Sequence, residues 1–370
     1  MWLFVCRFQA AETVISELSA PLAATHQTVR GYIAGGRRET ISVEKKDLTA
    51  PADAQTVLLA RQITGQCPQI QGERSVMEFK GVFTALITPF KVDGSLDEET
   101  YAKLVERQIK SGIAGIVPCG TTGESPTLSL DEHEHVIDVA VELARGKCTV
   151  IAGAGSNSTA EATRLSIHAQ DAGADAILSV NPYYNKPSQL GLYRHFKSIA
   201  DAVDIPVVLY NIAGRTGVNL ETDTLLKLQR DCSNIIAVKE ASGSIAQMKD
   251  VINRTAEGFS VLSGDDGMAL ELVQAGGDGV ISVASNLLPE KMSNIVELAL
   301  AGRFEEARAA NDEMQSLYDV LFVETNPIPV KTAMAMMGLC EEVFRLPLCE
   351  LSTNENRARL TEVLKNLNLL

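Results

Sequence analysis

From residue 79 onward, short apolar runs of strand length alternate with longer segments of helical spacing. The runs are rich in Val and Ile, and several are apolar at consecutive positions, as in a strand buried on both faces. Eight such runs lie at 82–87, 115–118, 149–152, 176–180, 207–210, 235–238, 260–262 and 280–283. The pattern therefore predicts a parallel sheet of eight strands.

Helical segments fill the intervals between these runs, at 97–110, 130–145, 159–172, 189–202, 221–230, 245–254 and 267–275. Several follow Ser, Thr or Asp and end at Gly, as helices commonly do. Strand and helix alternate eight times, which fits an α/β fold of the (β/α)8 TIM barrel type better than an open doubly wound sheet. No Gly-x-Gly-x-x-Gly sequence follows the first run, which disfavours a dinucleotide-binding sheet.

Two segments flank the predicted barrel, to which we assign residues 77–302. Helical patterns at 305–321, 329–337 and 350–369 predict an appended C-terminal helical region over 303–370. Residues 1–76 show little periodicity and carry 8 Lys and Arg against 7 Asp and Glu, whereas the rest of the chain carries 25 against 40. This break favours an N-terminal extension that is unstructured, or that lies upstream of a native start at Met77.

Charge and composition exclude several classes of protein. The net charge of −14 and the lack of a basic stripe argue against a nucleic-acid-binding protein. The sequence contains no stretch of 18 apolar residues, so no membrane span is predicted. The seven cysteines have neither zinc-site nor Cys-x-x-Cys spacing, which favours reduced thiols in a cytoplasmic protein and predicts no metal site.

Lys239 is the most informative candidate for chemistry, because it closes the apolar run at 235–238. Active sites of barrels lie at the carboxyl ends of the strands. Burial lowers the pKa of a lysine and supplies the neutral amine that attacks a carbonyl. Lys239 is therefore either a Schiff-base nucleophile or a member of a structural ion pair. Lys331 is a rival nucleophile, but it lies beyond the barrel strands.

Side chains at other strand ends each allow a functional and a structural interpretation. The Thr121-Thr122 loop can hold a small carboxylate, or it is simply a tight turn. Tyr184 and Tyr210 can relay protons, although most buried tyrosines only pack. Arg215 can clamp a carboxylate with two hydrogen bonds, or it is a solvated surface charge.

Acidic and imidazole side chains give weaker signals. The Asp265-Asp266 pair precedes a predicted helix, and we interpret it as a helix cap rather than a metal site. Four histidines lie on predicted helices, where packing or surface roles are expected: His133, His135, His168 and His195.

Four motifs carry a resemblance to a known family. They are Gly120-Thr121-Thr122-Gly123-Glu124, Asn181-Pro182-Tyr183-Tyr184, Tyr210-Asn211-Ile212-Ala213-Gly214-Arg215-Thr216 and Val238-Lys239-Glu240-Ala241-Ser242-Gly243. With these motifs in order, residues 77–370 resemble the dihydrodipicolinate synthase family of pyruvate-dependent, class I aldolase-like enzymes. Ala213 stands where the family often has Pro, a departure that should change loop stiffness more than chemistry.

The resemblance implies a lyase that condenses pyruvate with L-aspartate 4-semialdehyde to give 4-hydroxy-tetrahydrodipicolinate. This reaction is the first committed step of the diaminopimelate route to lysine. Lys239 would form the imine with pyruvate, and Tyr210 would be the general acid and base. Thr122 and Tyr184 would complete a proton relay, with Tyr184 reaching in from a neighbouring subunit of a homotetramer. No metal or organic cofactor is implied, because the imine itself is the electron sink.

The resemblance also implies which groups bind the substrates. Thr121 and Thr122 would hold the carboxylate of pyruvate, and Arg215 would hold the carboxylate of the semialdehyde. Gly264 and Ile281 would line the site through their backbones.

A second implied site concerns regulation by L-lysine as a feedback inhibitor. Family members inhibited by lysine bind it at a dimer interface, and the matching positions here are Ser125, His133, Asn157, Glu161 and Tyr183. Glu161 suits the amino group of a lysine, although its carboxylate also complements a helix N-terminus without any ligand.

Two other functions stay open at this point. N-acetylneuraminate lyase or a keto-deoxy sugar acid aldolase would share the lysine and the tyrosine, but Arg215 in its Gly-Arg-Thr-Gly sequence favours the synthase. A non-catalytic sensor of small anions would be expected to lack Lys239 or Tyr210, and both residues are present.

Overall fold

The barrel strands lie close to where the apolar runs predict them. The structure, a computed structural model, describes residues 78–370 and four strand segments ahead of them. The eight parallel strands are β5 (Gly81–Ala85), β6 (Gly115–Val117), β7 (Thr149–Gly153), β8 (Ala176–Val180), β9 (Val207–Asn211), β10 (Ile235–Glu240), β11 (Ser260–Ser263) and β12 (Gly279–Ser282). Pairing of β12 with β5 closes the sheet into a ring, so the predicted (β/α)8 barrel is confirmed.

Helices alternate with these strands along the chain. They are α1 (Glu98–Lys110), α2 (Leu130–Ala144), α3 (Thr159–Ala172), α4 (Gln189–Ala200), α5 (Ala213–Thr216), α6 (Thr222–Asp231), α7 (Ile245–Arg254), α8 (Ala269–Gln274) and α9 (Pro289–Leu300). Ser129 and Glu132 form a capping box at the start of α2. The short helix α5 is not predicted. It forms because the Thr216 hydroxyl donates to the Ile212 carbonyl at 2.9 Å, and Gly217, with φ of 73°, ends the turn.

Alternation along the strands separates an inner core from an outer one. Inside the barrel, Val208 and Ala237 pack with Tyr210. Leu209 and Val238 belong instead to the larger core that also contains residues of the surrounding helices. Because successive side chains of a strand face opposite sides, Lys239 points into the barrel with Tyr210.

The appended region contains four helices: α10 (Phe304–Asp312), α11 (Gln315–Val320), α12 (Ile328–Met336) and α13 (Asn354–Asn366). A single helix is predicted over 305–321, but a turn at Glu313 and Met314 divides it. Helix α13 begins later than predicted because the Thr353 side chain caps its N-terminus. Leu360 and Leu364 pack into the outer core of the barrel. The division into domains at residue 303 stays a prediction, since Val76–Leu370 forms one compact unit.

The unit Met1–Ser75 contains an antiparallel sheet in the order β1-β2-β3-β4. Its strands are β1 (Phe4–Cys6), β2 (Thr13–Leu18), β3 (His26–Ile33) and β4 (Arg37–Glu44). The expectation that residues 1–76 are unstructured, or lie upstream of a native start, stays a prediction, and Met77 lies outside the described residues.

Candidate active site

Lys239 lies near the carboxyl end of β10, with its side chain inside the barrel and 6% exposed. Its ammonium group is 4.3 Å from the centre of the Tyr210 ring. Burial lowers the pKa of Lys239 to about 8, opposed by the negative charge of Asp266 and assisted by the positive charge of Arg215. The amine is therefore neutral in a substantial fraction of molecules near neutral pH, as a nucleophile requires.

Tyr210 lies directly beside Lys239, because parallel pairing of β9 with β10 sets the two residues opposite each other. Its side chain is buried, and burial raises the pKa of Tyr210 to about 12, opposed by Arg215 and by a hydrogen bond with the Thr121 side chain. The phenol therefore keeps its proton at neutral pH. It is placed to donate that proton to an atom bound to Lys239, or to take one back.

The two threonines of the Gly120–Glu124 motif face different partners. The Thr121 side chain is hydrogen-bonded to Tyr210, whereas the buried Thr122 hydroxyl accepts a hydrogen bond from Asn326 Nδ2 at 3.0 Å. The relay role expected of Thr122 stays a prediction. The hydrogen bond between the Thr121 side chain and Tyr210 makes Thr121 a second candidate for that role.

Arg215 lies on the short helix α5 with its side chain exposed. Its Nη2 donates a hydrogen bond to the Asn326 carbonyl oxygen at 2.9 Å. Asn326 therefore contacts two residues expected to bind carboxylates, Thr122 through its side chain and Arg215 through its backbone. The sequence analysis missed Asn326, because no local pattern indicates that a residue of the appended region reaches the barrel mouth.

Gly264 follows β11 and leaves room for the Lys239 side chain. A Cβ atom at this position would lie 2.6 Å from Ala241 Cβ and 3.1 Å from Lys239 Cε. Glycine is therefore required sterically, and the Gly264 N–H donates to the Glu240 carbonyl at 2.8 Å. Ile281 is fully buried inside the barrel on β12. The expected lining of a substrate site by the backbones of Gly264 and Ile281 stays a prediction.

Asp266 has a different role from the helix cap that we expected. Its Oδ2 accepts hydrogen bonds from the backbone N–H groups of Val283 and Ala284, at 3.0 and 2.9 Å. It therefore fixes the chain just beyond β12, and burial raises its pKa. Its charge also opposes the effect of burial on Lys239, which gives it a place in the electrostatics of the site.

Tyr184 lies at the surface of the single chain, 89% exposed, with φ of 72°. A positive φ is uncommon for a bulky side chain and is held only where the surroundings determine it. The expected contribution of Tyr184 to a neighbouring subunit stays a prediction.

A cavity of about 350 Å³ opens next to these groups. Thr121, Tyr210 and Arg215 line it together with residues of the expected regulatory set. Its remaining lining residues are Cys119, Gly120, Ser125, Pro126, Leu128, Leu130, His133, Gly153, Gly155, Ser156, Glu161, Leu165, Leu178, Val180, Tyr183, Ile212 and Thr216. The structure thus brings Ser125, His133, Glu161 and Tyr183 together.

Within the regulatory set, Asn157 stands apart. It is not a lining residue of this cavity, and its carbonyl oxygen accepts a hydrogen bond from Asn185 Nδ2 at 2.9 Å. The Glu161 carboxylate accepts a hydrogen bond from the Ser156 hydroxyl near the start of α3. Burial lowers the pKa of His133 to about 4, so its imidazole is neutral at physiological pH.

Lys331, the rival nucleophile, forms an ion pair. Its side chain is fully buried on α12, with Nζ 2.6 Å from Glu124 Oε1 and 4.1 Å from the centre of the Phe90 ring. The pair attaches the appended region to the loop that carries the two threonines. Lys331 is therefore a scaffold residue.

Metal-binding clusters, membrane-spanning helices and cysteine pairing are considered only in the described part of the chain. In that part, no three His, Cys, Asp or Glu side chains are arranged to hold a metal ion. No helix there is long and apolar enough to cross a membrane. The five cysteines of residues 78–370 are free thiols. Cys6 and Cys67 precede this region, and the expected cytoplasmic location stays a prediction.

Comparison with known proteins adds an independent observation. A model of the dihydrodipicolinate synthetase family matches residues 78–367, which cover the barrel and the appended helices. The 4-hydroxy-tetrahydrodipicolinate synthase of Aquifex aeolicus (strain VF5) is 50% identical over 291 residues, which are 79% of this chain and 98% of that protein.

Solved structures are similar over the same region. The chloride-inhibited dihydrodipicolinate synthase from Acinetobacter baumannii, complexed with pyruvate, is 44% identical with a TM-score of 0.77. The enzyme from Cyanidioschyzon merolae with lysine bound is 40% identical with the same TM-score. In both cases the similarity covers 79% of this chain and 99% of the other chain.

Proposed function

The chain belongs to the dihydrodipicolinate synthetase family of enzymes, and from that premise we propose how its own residues condense pyruvate with L-aspartate 4-semialdehyde. The product is 4-hydroxy-tetrahydrodipicolinate, an intermediate of the diaminopimelate route to lysine. The observation that carries the proposal is the pair of inward side chains on adjacent strands, Lys239 and Tyr210, at the mouth of the barrel.

Lys239 supplies the covalent step. Its neutral Nζ attacks the ketone carbon of pyruvate, the ketone oxygen leaves as water, and an imine forms. Loss of a methyl proton gives an enamine, and the enamine carbon attacks the aldehyde carbon of the semialdehyde. The semialdehyde amino group then attacks the imine carbon, which closes the ring and releases Lys239. The imine withdraws electrons during these steps, so the carbon–carbon bond needs no other electron sink.

Tyr210 moves the protons of these steps. Its high pKa keeps the phenol protonated, so it donates a proton to the departing ketone oxygen and recovers one afterwards. Thr122 is the next member of the relay, and Thr121 is a second candidate for that role, which its hydrogen bond with Tyr210 supports. Tyr184 from a neighbouring subunit of a homotetramer completes the relay. Its exposed side chain in the single chain is compatible with that placement.

Two groups bind the substrate carboxylates. The Thr121-Thr122 loop holds pyruvate at the end of β6, and the backbones of Gly264 and Ile281 line the same site. Arg215 binds the carboxylate of the semialdehyde through charge-assisted hydrogen bonds. Support for this assignment comes from its position on the lining of the cavity that Thr121 and Tyr210 also line.

L-Lysine binds as a feedback inhibitor at the regulatory set of Ser125, His133, Asn157, Glu161 and Tyr183. Four of these five residues line one cavity, and a lysine-bound relative has a similar structure. Addition of millimolar L-lysine should lower the initial rate, and Glu161→Gln should abolish that effect without changing the uninhibited rate. Equal rates with and without lysine would contradict the regulatory site.

The test of the activity compares acceptors and donors in one assay. The enzyme should consume pyruvate with L-aspartate 4-semialdehyde at a rate well above the rate at which it releases pyruvate from sialic acid or a keto-deoxy sugar acid. Preference for sialic acid or a sugar acid would assign another activity of the same chemistry. No turnover with any of them, with intact folding, would overturn the catalytic assignment.

A further inference from the structure

Three buried polar side chains line up on the outer side of the barrel, directly behind the proposed catalytic pair. Asn211 and Glu240 follow Tyr210 and Lys239 on β9 and β10, so their side chains point away from the barrel interior. Asn181 follows the end of β8, the next strand of the ring. We name these residues, Asn181, Asn211 and Glu240, the outer row. All three are completely buried.

Hydrogen bonds join the outer row across the three strands. Asn181 Nδ2 donates to Asn211 Oδ1 at 2.8 Å, and Asn211 Nδ2 donates to Glu240 Oε2 at 3.0 Å. The register of the sheet pairs Glu240 with Asn211, as it pairs Lys239 with Tyr210. The outer contact and the inner contact therefore belong to neighbouring residue pairs of the same two strands.

Glu240 has an unusual set of partners for a buried carboxylate. Besides Asn211, it accepts hydrogen bonds from the Ser242 N–H at 2.7 Å and from Gln247 Nε2 at 3.3 Å. The partners that residues 78–370 supply are thus neutral N–H donors. A buried charge without a cation is costly to keep, and an apolar residue would fill the space at lower cost in stability. Rather than adding stability, the Glu240 carboxylate fixes the positions of the N–H groups that donate to it.

We propose that Glu240 is a positioning residue, which holds Asn211 and thereby fixes the Tyr210 hydroxyl relative to Lys239 Nζ. The inference rests on the proposed function, in which these two inner side chains carry the chemistry. A covalent step is sensitive to such placement, because a displacement of about 1 Å can cost about 100-fold in rate. Glu240 touches neither substrate nor reacting atoms, and it acts through the strand pair.

The experiment uses single variants and a donor–acceptor exchange. Glu240→Gln sets an amide against the amide donor of Asn211, and Asn211→Asp sets a carboxylate against the carboxylate of Glu240. The double variant Glu240→Gln/Asn211→Asp restores one donor, one acceptor and one negative charge. Asn219 Oδ1 accepts a hydrogen bond from Asn211 Nδ2 at 2.8 Å, and the amides of Asn219 and Gln247 can turn to match the exchange. The readout is the fraction of Lys239 trapped as the reduced pyruvate adduct at timed intervals after mixing with pyruvate and borohydride.

Each single variant should slow trapping by about 10- to 100-fold, and the double variant should recover at least ten-fold of the loss. The KM for pyruvate should change little, since no carboxylate-binding group is altered. Trapping at the wild-type rate in the single variants would overturn the proposal, and so would a double variant no faster than the slower single one. Asn211→Ser serves as the second single variant if Glu240→Gln does not fold, with the same expectation.

Asp278→Asn is the matched control. Asp278 is a part-buried carboxylate that accepts a hydrogen bond from the Val261 N–H at 2.8 Å, next to the amino end of β12. The Asp278→Asn substitution should lower the unfolding temperature and leave the trapping rate unchanged. If a general loss of stability were enough to slow trapping, this control would trap pyruvate slowly as well as the outer-row variants. Wild-type enzyme that traps no pyruvate at all would refute the proposed function. Normal trapping in every variant would refute only the role of Glu240.

Discussion

Two buried lysines, Lys239 and Lys331, differ in what surrounds the ammonium group. Lys331 is fully buried, and its charge is matched by Glu124 at 2.6 Å and by the face of Phe90. Lys239 is nearly as buried, but its nearest aromatic contact is Tyr210, and within residues 78–370 it makes no ion pair closer than 4 Å. Burial lowers the pKa of both groups.

The difference shows that burial alone does not make a lysine reactive. At Lys331 the adjacent Glu124 carboxylate opposes the effect of burial on the pKa of the amine. At Lys239 the opposing charge of Asp266 is partly offset by Arg215, and the ammonium group lies 4.3 Å from the centre of the Tyr210 ring. This contrast supports the proposal that Lys239 serves the chemistry, whereas the ion pair of Lys331 with Glu124 holds the appended helices on the barrel.

The largest expected effect comes from Lys239→Met. Loss of the nucleophile should lower kcat/KM by roughly 10⁴-fold or more, because the remaining groups only bind and orient the substrates. The fold should be at least as stable as the wild type, since a buried unpaired amine is replaced by an apolar side chain. Steady-state kinetics with thermal unfolding checks both parts. An active variant would show that another group forms the imine.

Lys331→Met should instead lower the folding stability and leave the intrinsic catalytic activity little changed. It leaves the buried carboxylate of Glu124 without its cation, which should cost about 3–5 kcal/mol in the free energy of unfolding. The double variant Lys331→Met/Glu124→Gln removes both charges and should recover most of that loss. Denaturant titration measures the three proteins, and a single variant of wild-type stability would contradict the scaffold role.

The pH dependence of imine formation separates the two lysines again. With a pKa of about 8, the neutral fraction of Lys239 falls about ten-fold for each pH unit below that value, so trapping at pH 6 should be roughly 100-fold slower than at pH 9. Tyr210 stays protonated throughout, because its pKa is about 12. The profile should be the same in Lys331→Met/Glu124→Gln. A flat profile would show that Lys239 is not the titrating nucleophile.

Arg215→Ala has the smallest expected effect and sharpens the electrostatic part of the comparison. Loss of charge-assisted hydrogen bonds should lower kcat/KM for the semialdehyde by roughly 10- to 100-fold. The midpoint of the trapping profile should also move above pH 8, because removal of the positive charge raises the pKa of Lys239. Arg215→Lys keeps the charge and should keep the midpoint. An unchanged midpoint in Arg215→Ala would contradict the electrostatic role of Arg215.

The barrel could be predicted from the sequence because strands buried on both faces leave continuous apolar runs, and strand ends are local features. Lys239, Tyr210 and Arg215 are predicted as site residues from their places at strand ends. The hydrogen bonds of Asn326 to the barrel mouth could not be predicted, because they join residues more than one hundred positions apart along the chain. Which of Thr121 and Thr122 is hydrogen-bonded to Tyr210 depends on side-chain direction within one turn, which periodicity does not determine.

Lys239, and not the more deeply buried Lys331, is the proposed nucleophile. Wild-type protein is incubated with pyruvate and borohydride, digested, and mapped by peptide mass spectrometry. We expect a reduced three-carbon adduct on the peptide that contains Lys239 and an unmodified peptide at Lys331. An adduct on Lys331, or no adduct on Lys239 with pyruvate present, would overturn the assignment of Lys239 as the nucleophile.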